Sequence, residues 1–300
     1  MNPFARAVPS LLFVSLLGAL AGVAHAAPFR DLDVEVVGSG RPVLMIPGLN
    51  SSAETWRETC EALRPERIQC HLVQLPGFAG APAKTGDAFL VTMRDQLLDY
   101  ARARKLGRPA IVGHSLGGAL ALQMAAKAPE SVGPLVIVDS LPFFAAAMNP
   151  AATAETVRPM AEGMRAQMVS ADAATYARQA DAAMASMTRD PQRTATLKAW
   201  GAASDRGTTA QAMYELMTTD LRPELPKVKS PTLVLGAWAA YAPMGSTKAS
   251  TANIFSTQYA GLEGVRLEMS EAGYHFLMWD DPSWVQSNIR TFLAAHPHRK

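Results

Sequence analysis

Short apolar runs alternate with helix-like stretches along most of this chain, and this alternation constrains its fold more than any other feature. The runs are continuously apolar, which is typical of strands buried on both faces of a parallel sheet. Each helix-like stretch can return the chain to the start of the next parallel strand. The sequence therefore predicts an α/β fold, a mostly parallel sheet with helices on both faces. Predicted strands lie at 42–46, 68–75, 109–113, 135–139, 231–236 and 265–270, and predicted helices at 54–64, 87–105, 116–128, 247–262 and 282–294.

The alternation stops between the fourth and fifth of these strands. Residues 140–230 hold no strand-like run and contain eight of the 15 methionines. This segment is predicted to be a helical lid inserted into a core formed by 27–139 and 231–300. Methionine packs adaptably against irregular apolar shapes, which favours a lid over an apolar pocket. Ordinary helical core filling is the alternative.

The first 26 residues have the pattern of a secretory signal peptide. Arg6 precedes an apolar run at 11–23, and Ala-His-Ala at 24–26 fits a small-x-small cleavage site. An uncleaved membrane anchor is the alternative, but the run is short for a spanning helix. We therefore expect export to the periplasm or the extracellular medium. No other run has the length of a membrane span, so no membrane span is expected after cleavage.

Composition excludes several classes of protein. The formal net charge is +2 and no basic block is present, so no nucleic-acid partner is expected. The chain has only two cysteines, which excludes a cysteine-rich metal cluster. Export would place Cys60 and Cys70 where a disulfide can form, and a short helix-to-strand return could bring them together. Two buried free thiols are the alternative. The oligomeric state stays open.

The sequence Gly-His-Ser-Leu-Gly at 113–117 lies between a predicted buried strand and a predicted helix. A nucleophile elbow requires this context, because the serine must project from a tight strand-to-helix turn. Ser115 would then stand at a helix N-terminus, where partial positive charge favours a developing anion. The glycines on either side would avoid collisions with neighbouring backbone. Ser115 is therefore the predicted nucleophile.

A serine hydroxyl needs a base and an oxyanion hole. His275 follows the last predicted strand, at the sheet edge where the elbow is also expected. The backbone N–H of Leu116, directly after the nucleophile, is one predicted oxyanion donor. The second should come from the turn after strand 42–46, with Leu49 preferred and Asn50 as the alternative.

The chain resembles the α/β-hydrolases of the lid-bearing esterase and lipase type over roughly residues 35–295. The elbow, the Pro-Gly-Leu turn at 47–49 and the histidine loop at 274–282 carry the resemblance. Pro47 replaces the histidine that is frequent in the family. The resemblance implies the α/β-hydrolase fold and acyl-group chemistry without a metal or cofactor.

One departure from the family concerns the acid that orients the histidine. Most members place an aspartate several residues beyond the strand equivalent to 231–236, but no carboxylate occurs here between Pro231 and Glu263. Some members carry the acid after the preceding strand, where this chain has Asp139. We therefore predict Asp139 as the acid. Glu271, Asp280, Asp281 and a two-residue Ser–His arrangement remain alternatives.

Together these residues predict an exported serine hydrolase that cleaves small or apolar carboxylic esters. Acyl transfer to an alcohol and carbon–carbon bond hydrolysis are alternatives that would use similar catalytic groups. A non-catalytic binding protein that keeps the fold is a further alternative, but the presence of both Ser115 and His275 argues against it. The sequence does not specify the substrate.

Overall fold

The computed structural model describes residues 24–25, 28–83, 86 and 88–298. Within these described residues, eight strands form one sheet in the order β1-β2-β4-β3-β5-β6-β7-β8. Strands β3 to β8 are parallel, and β1 and β2 join antiparallel at one edge. The predicted α/β fold is therefore confirmed. The strands are β1 (Ala24–His25), β2 (Asp33–Gly38), β3 (Arg41–Ile46), β4 (Ile68–Gln74), β5 (Ala110–His114), β6 (Leu135–Val138), β7 (Thr232–Gly236) and β8 (Arg266–Met269).

The helices connect and cover these strands. They are α1 (Arg57–Leu63), α2 (Phe89–Ala103), α3 (Leu116–Lys127), α4 (Ala154–Ser170), α5 (Ala173–Met184), α6 (Pro191–Ala203), α7 (Arg206–Thr218), α8 (Lys248–Gln258), α9 (Leu277–Asp280) and α10 (Pro282–Ala295). Short 3-10 helices lie at Ala53–Trp56, Arg64–Glu66, Phe144–Ala147, Arg222–Lys227 and Ala239–Met244.

Strand β3 illustrates why the central strands are continuously apolar. Its residues alternate between the two faces of the sheet, and each face packs into a separate apolar cluster. Val43 and Met45 belong to one cluster, whereas Leu44 and Ile46 belong to the other. All four side chains are completely buried. Helices on both faces therefore leave no place for a polar residue at these four positions.

Residues 140–230 fold without a strand in the described chain and contribute helices α4 to α7. Their methionines do not share one environment. Met217 is buried, but Met148, Met160 and Met164 are 89%, 55% and 40% exposed. Methionine content alone therefore does not outline a pocket, and the function of this insert as a lid stays a prediction.

The predicted Cys60–Cys70 disulfide is present in the structure. Cys60 lies in α1 and Cys70 in β4, with their Cα atoms 6.1 Å apart. Both residues are completely buried. The bridge ties a short covering helix to the strand that follows it in the chain.

The predicted signal peptide lies outside the described residues except for Ala24 and His25. These two residues pair antiparallel with Val36 and Glu35 of β2. Cleavage after position 26 would remove this short strand and leave β2 at the sheet edge. In the described part of the chain, no helix combines the length and the apolar character that crossing a membrane requires.

Candidate active site

Ser115 occupies a strained turn between β5 and α3. Its backbone has φ +52° and ψ −117°, a conformation that non-glycine residues rarely adopt. The Ser115 N–H donates to the Val138 carbonyl oxygen at 3.0 Å, and the Ser115 carbonyl accepts from the Gly118 N–H at 2.8 Å. Hydrogen bonds on both sides therefore hold the strained residue in place. The side chain remains partly exposed at the carboxyl end of the sheet.

The elbow has no room for a side chain at either of its two glycines. A Cβ on Gly113 would lie 2.3 Å from the Gly117 carbonyl oxygen, and a Cβ on Gly117 would lie 2.2 Å from the Ile46 carbonyl oxygen. Real Cβ atoms do not approach backbone oxygens this closely. Any larger residue at either position would force the backbone around Ser115 to move.

Asp139 follows the neighbouring strand at the same level as Ser115. His114 of β5 pairs with Val138 of β6, so the residue after each of them emerges at the same sheet edge. Asp139 has φ +44°, and its N–H donates to the Leu235 carbonyl oxygen at 2.8 Å. This turned backbone aims the carboxylate across the edge of the sheet.

The structure brings Asp139 and His275 together. Asp139 Oδ2 lies 2.6 Å from His275 Nδ1, and Oδ1 accepts from the Ala237 N–H at 2.8 Å. The side chains are only 10% and 23% exposed, so the contact is largely shielded from water. A carboxylate at Nδ1 fixes the tautomer that carries its proton there and leaves Nε2 able to accept one.

The other candidate carboxylates are engaged elsewhere. Glu271 is 83% exposed and pairs with Lys248. Asp281 accepts from the Ser270 hydroxyl at 2.9 Å. Asp280 binds a different part of the histidine loop, described below. Among the described residues, Asp139 is the one carboxylate that hydrogen-bonds to His275. No hydrogen bond joins Ser115 Oγ to the His275 ring in that part of the chain, and such contacts are often long in substrate-free enzymes.

The predicted oxyanion turn lies against the nucleophile. A Cβ on Gly48 would be 3.2 Å from Ser115 Cβ, so the residues after β3 pass directly beside Ser115. Leu116 is the first residue of α3, and its N–H therefore has no carbonyl partner within the helix. Asn50, the alternative donor, has φ +55°, and its side chain is bonded to Thr209. The Leu49 and Leu116 N–H groups stay the predicted oxyanion donors.

His114 supports the histidine loop from behind the elbow. Its Nε2 donates to the His275 carbonyl oxygen at 3.0 Å, and the two rings are 4.5 Å apart. Complete burial, followed by the nearby His275, lowers the pKa of His114 well below its usual value. Sequence patterns gave no indication of Thr188 and Thr209, whose hydroxyl groups hydrogen-bond to the distant residues Asp280 and Asn50.

A family profile described as the alpha/beta hydrolase family matches residues 43–286. The chain belongs to this family. The match includes the elbow, Asp139 and His275, and confirms the resemblance.

Curated relatives of the chain are named as esterases. Pimeloyl-[acyl-carrier protein] methyl ester esterase of Nitrosomonas europaea is 32% identical over 114 residues, which is 38% of this chain and 43% of the relative. The enzyme of the same name from Vibrio atlanticus is 36% identical over 115 residues, 38% of this chain and 42% of the relative. The chain thus matches less than half the length of each.

Solved structures share the fold over nearly the whole chain. A hydrolase from Pseudomonas aeruginosa has a TM-score of 0.72 at 17% identity, covering 91% of this chain and 98% of the other. An esterase from Exiguobacterium antarcticum has a TM-score of 0.70 at 18% identity, covering 87% and 94%. At this level of identity the similarity establishes the fold alone.

Proposed function

We propose that this α/β-hydrolase cleaves carboxylic esters through an acyl-enzyme on Ser115. The observation that carries the proposal is the 2.6 Å contact between Asp139 Oδ2 and His275 Nδ1, at the sheet edge where Ser115 emerges. A carboxylate that is largely shielded from water and hydrogen-bonds to a histidine near a strained serine matches the requirements of nucleophilic acyl transfer. The esterase names of the curated relatives support the same chemistry.

In the first half-reaction, Ser115 Oγ attacks the ester carbonyl carbon while His275 Nε2 takes the hydroxyl proton. Asp139 stabilises the resulting imidazolium without taking the proton itself. The carbonyl oxygen becomes an oxyanion that accepts hydrogen bonds from the Leu49 and Leu116 N–H groups. The intermediate then collapses, and the leaving alcohol departs with the proton from His275.

The second half-reaction repeats these roles with water. His275 removes a proton from a water molecule, whose oxygen attacks the acyl carbon on Ser115. The second tetrahedral intermediate releases the carboxylic acid, and Ser115 recovers its proton from His275. No step draws on a metal or cofactor.

We propose esters with an apolar acyl group as the substrate class. Phe144 and Tyr241 lie in the 3-10 helices that follow β6 and β7, and they are 51% and 45% exposed. The negative charge of Asp139, after burial, contributes to raising the pKa of Tyr241, which supports the closeness of that ring to the site. The relatives' substrate, a methyl ester, is a natural first compound to test.

We also propose that the protein works outside the cytoplasm. The signal-like residues 1–26 motivate this proposal. The Cys60–Cys70 disulfide supports it, because structural disulfides persist mainly in oxidising compartments.

A panel of nitrophenyl esters of increasing acyl length tests the proposed reaction. We expect Ser115→Ala to reduce kcat by several orders of magnitude while the melting temperature changes little. Ser131→Ala, which changes an exposed serine outside the site, is the matched control and should keep wild-type activity. Wild-type turnover by purified Ser115→Ala enzyme would show that the reaction does not take place at this site.

A further inference from the structure

Two threonines of the helical insert contact the two loops that carry the proposed machinery. Thr188 lies between α5 and α6, and Thr209 lies in the first turn of α7. They are only 3% and 2% exposed. Each hydroxyl reaches a residue that is distant in sequence, 92 positions away for Thr188 and 159 for Thr209. A buried polar group is costly unless it is bonded, so these contacts define where the insert can sit.

Thr188 holds the histidine loop through Asp280. The Thr188 hydroxyl donates to Asp280 Oδ1 at 2.6 Å, and the Arg189 N–H donates to the same oxygen at 3.0 Å. The other carboxylate oxygen, Oδ2, accepts from the Tyr274 N–H at 2.9 Å. Asp280 thus connects the insert to the residue immediately before His275.

The residue immediately after His275 is bonded to the insert directly. The Phe276 N–H donates to the Met187 carbonyl oxygen at 2.9 Å. The Phe276 ring stacks on Trp279, with centroids 4.7 Å apart, and Trp279 in turn contacts Trp200 of α6 at 5.7 Å. The backbone on both sides of His275 is therefore held by the segment that precedes and begins α6.

Thr209 holds the oxyanion turn through Asn50. The Thr209 hydroxyl lies 2.6 Å from Asn50 Oδ1 and 2.8 Å from the Asp205 carbonyl oxygen, so the two acceptors share its single hydrogen. Asn50 directly follows Leu49, and its φ of +55° sets the direction of the turn. The contact fixes the residue next to the proposed oxyanion donor.

Helix α7 is itself anchored to the core. The buried Glu215 carboxylate accepts from the Phe89 and Leu90 N–H groups at the start of α2, both at 2.7 Å. At the other end of α7, the Asp205 N–H donates to the Gly77 carbonyl oxygen at 2.7 Å. Thr209 therefore projects from an element that is bonded to the core at both ends.

We propose that residues 187–217 form a brace that holds the His275 loop and the oxyanion turn in register with Ser115. Thr188 and Thr209 are its positioning residues. The proposal rests on the proposed function and adds to it. If this segment is fixed, any lid movement is confined to the part of the insert before residue 187. A displacement of about 1 Å in a catalytic group can cost roughly 100-fold in rate, so each contact should affect activity without touching the substrate.

The test compares Thr188→Val and Thr209→Val with Thr188→Ser and Thr209→Ser. Valine keeps the shape and removes the hydroxyl, whereas serine keeps the hydroxyl. The first readout is the rate at which a fluorophosphonate modifies Ser115, a reaction in which Oγ bonds to phosphorus, fluoride leaves and His275 receives the proton. We expect each valine variant to react about 10-fold to 100-fold more slowly, and each serine variant to react at nearly the wild-type rate.

The second readout separates the two contacts. The proton NMR signal of His275 Nδ1–H reports the hydrogen bond to Asp139. We expect Thr188→Val to broaden or remove this signal and Thr209→Val to leave it unchanged, because Thr188 contacts the histidine loop through Asp280 and Thr209 does not. A merely structural contribution would lower the melting temperature without producing this pattern.

Fluorophosphonate rates and histidine signals at wild-type values in both valine variants would overturn the brace. If a valine variant fails to fold, Asp280→Ala and Asn50→Gly remove the same hydrogen bonds by changing the acceptor residues instead. Glycine tolerates the positive φ at position 50. A wild-type protein that is not modified at Ser115 would instead contradict the proposed function, so the two failures are distinguishable.

Discussion

At the scale of single residues, the interior holds histidines in their neutral form. His71 is almost completely buried in β4, and its Nδ1 lies 2.8 Å from the Tyr100 hydroxyl. Burial, followed by the positive charge of Arg104, lowers the pKa of His71 from 6.5 to about 4. Burial lowers the pKa of His114 in the same direction. Both residues favour the neutral ring in the folded protein.

A histidine with a lowered pKa makes the folded state sensitive to acid. The unfolded chain takes up a proton near pH 6.5, whereas folded His71 resists until about pH 4. The contribution of His71 to stability is complete above pH 6.5 and is lost progressively as the pH falls towards 4, by about 3 kcal/mol.

We expect His71→Gln to reduce the dependence of the unfolding free energy on pH in this window. Urea unfolding at pH 7 and at pH 4.5 measures the dependence for wild type and variant. The variant should lose less stability between the two pH values, even if it is less stable at pH 7. An identical loss in both proteins would show that His71 does not titrate on unfolding as described.

Much of the candidate site could be predicted from residue types and their local sequence. Ser115 and His275 were predictable because their motifs depend on local sequence between recognisable elements. Asp139 was predicted as the acid from the family resemblance, with Glu271, Asp280 and Asp281 left as alternatives. Its selection depends on a backbone φ of +44° and on the pairing of β6 with its neighbours, neither of which sequence patterns encode.

At the scale of elements, the disulfide couples helix α1 to strand β4. The bridge closes a loop with a sequence separation of 10. We expect reduction of the wild-type protein to lower the free energy of unfolding by roughly 2–3 kcal/mol, because the bridge restricts the unfolded chain. Urea unfolding with and without reductant measures this difference while leaving both side chains in place.

The double variant Cys60→Ala/Cys70→Ala is the control for this measurement. It should be less stable than the reduced protein, because both sulfur atoms are completely buried and their removal leaves cavities. A reduced protein as stable as the oxidised one would contradict a structural contribution from the bridge.

Strand β2, which lies between the short β1 and β4, shows why one element could not be predicted from the sequence. Its sequence is Asp-Val-Glu-Val-Val-Gly at 33–38, and only Val34 is fully buried. A partly exposed antiparallel strand lacks the continuous apolar pattern that identified the central strands. The central strands and their helices agree with prediction to within a few residues, because burial on both faces leaves a strong signal.

At the scale of the whole molecule, the insert is hydrogen-bonded to both loops that carry the candidate site. Composition predicted its helices and its position between two strands, but not its contacts. The bonds from Thr188 to Asp280 and from Thr209 to Asn50 cross 92 and 159 positions. No periodicity and no motif in the sequence indicates a single hydrogen bond between residues so far apart, so the sequence alone could not predict these contacts.

The central claim is that Ser115, His275 and Asp139 act as one unit, and the turnover number of Asp139→Asn tests it most directly. The asparagine keeps the shape but favours the wrong tautomer of His275, a change that costs about 10,000-fold in a serine protease. We predict a loss of roughly this size for nitrophenyl esters, with an unchanged melting temperature. Glu271→Gln, the exposed carboxylate near the histidine loop, should retain wild-type turnover. An Asp139→Asn enzyme with wild-type kcat would contradict the account.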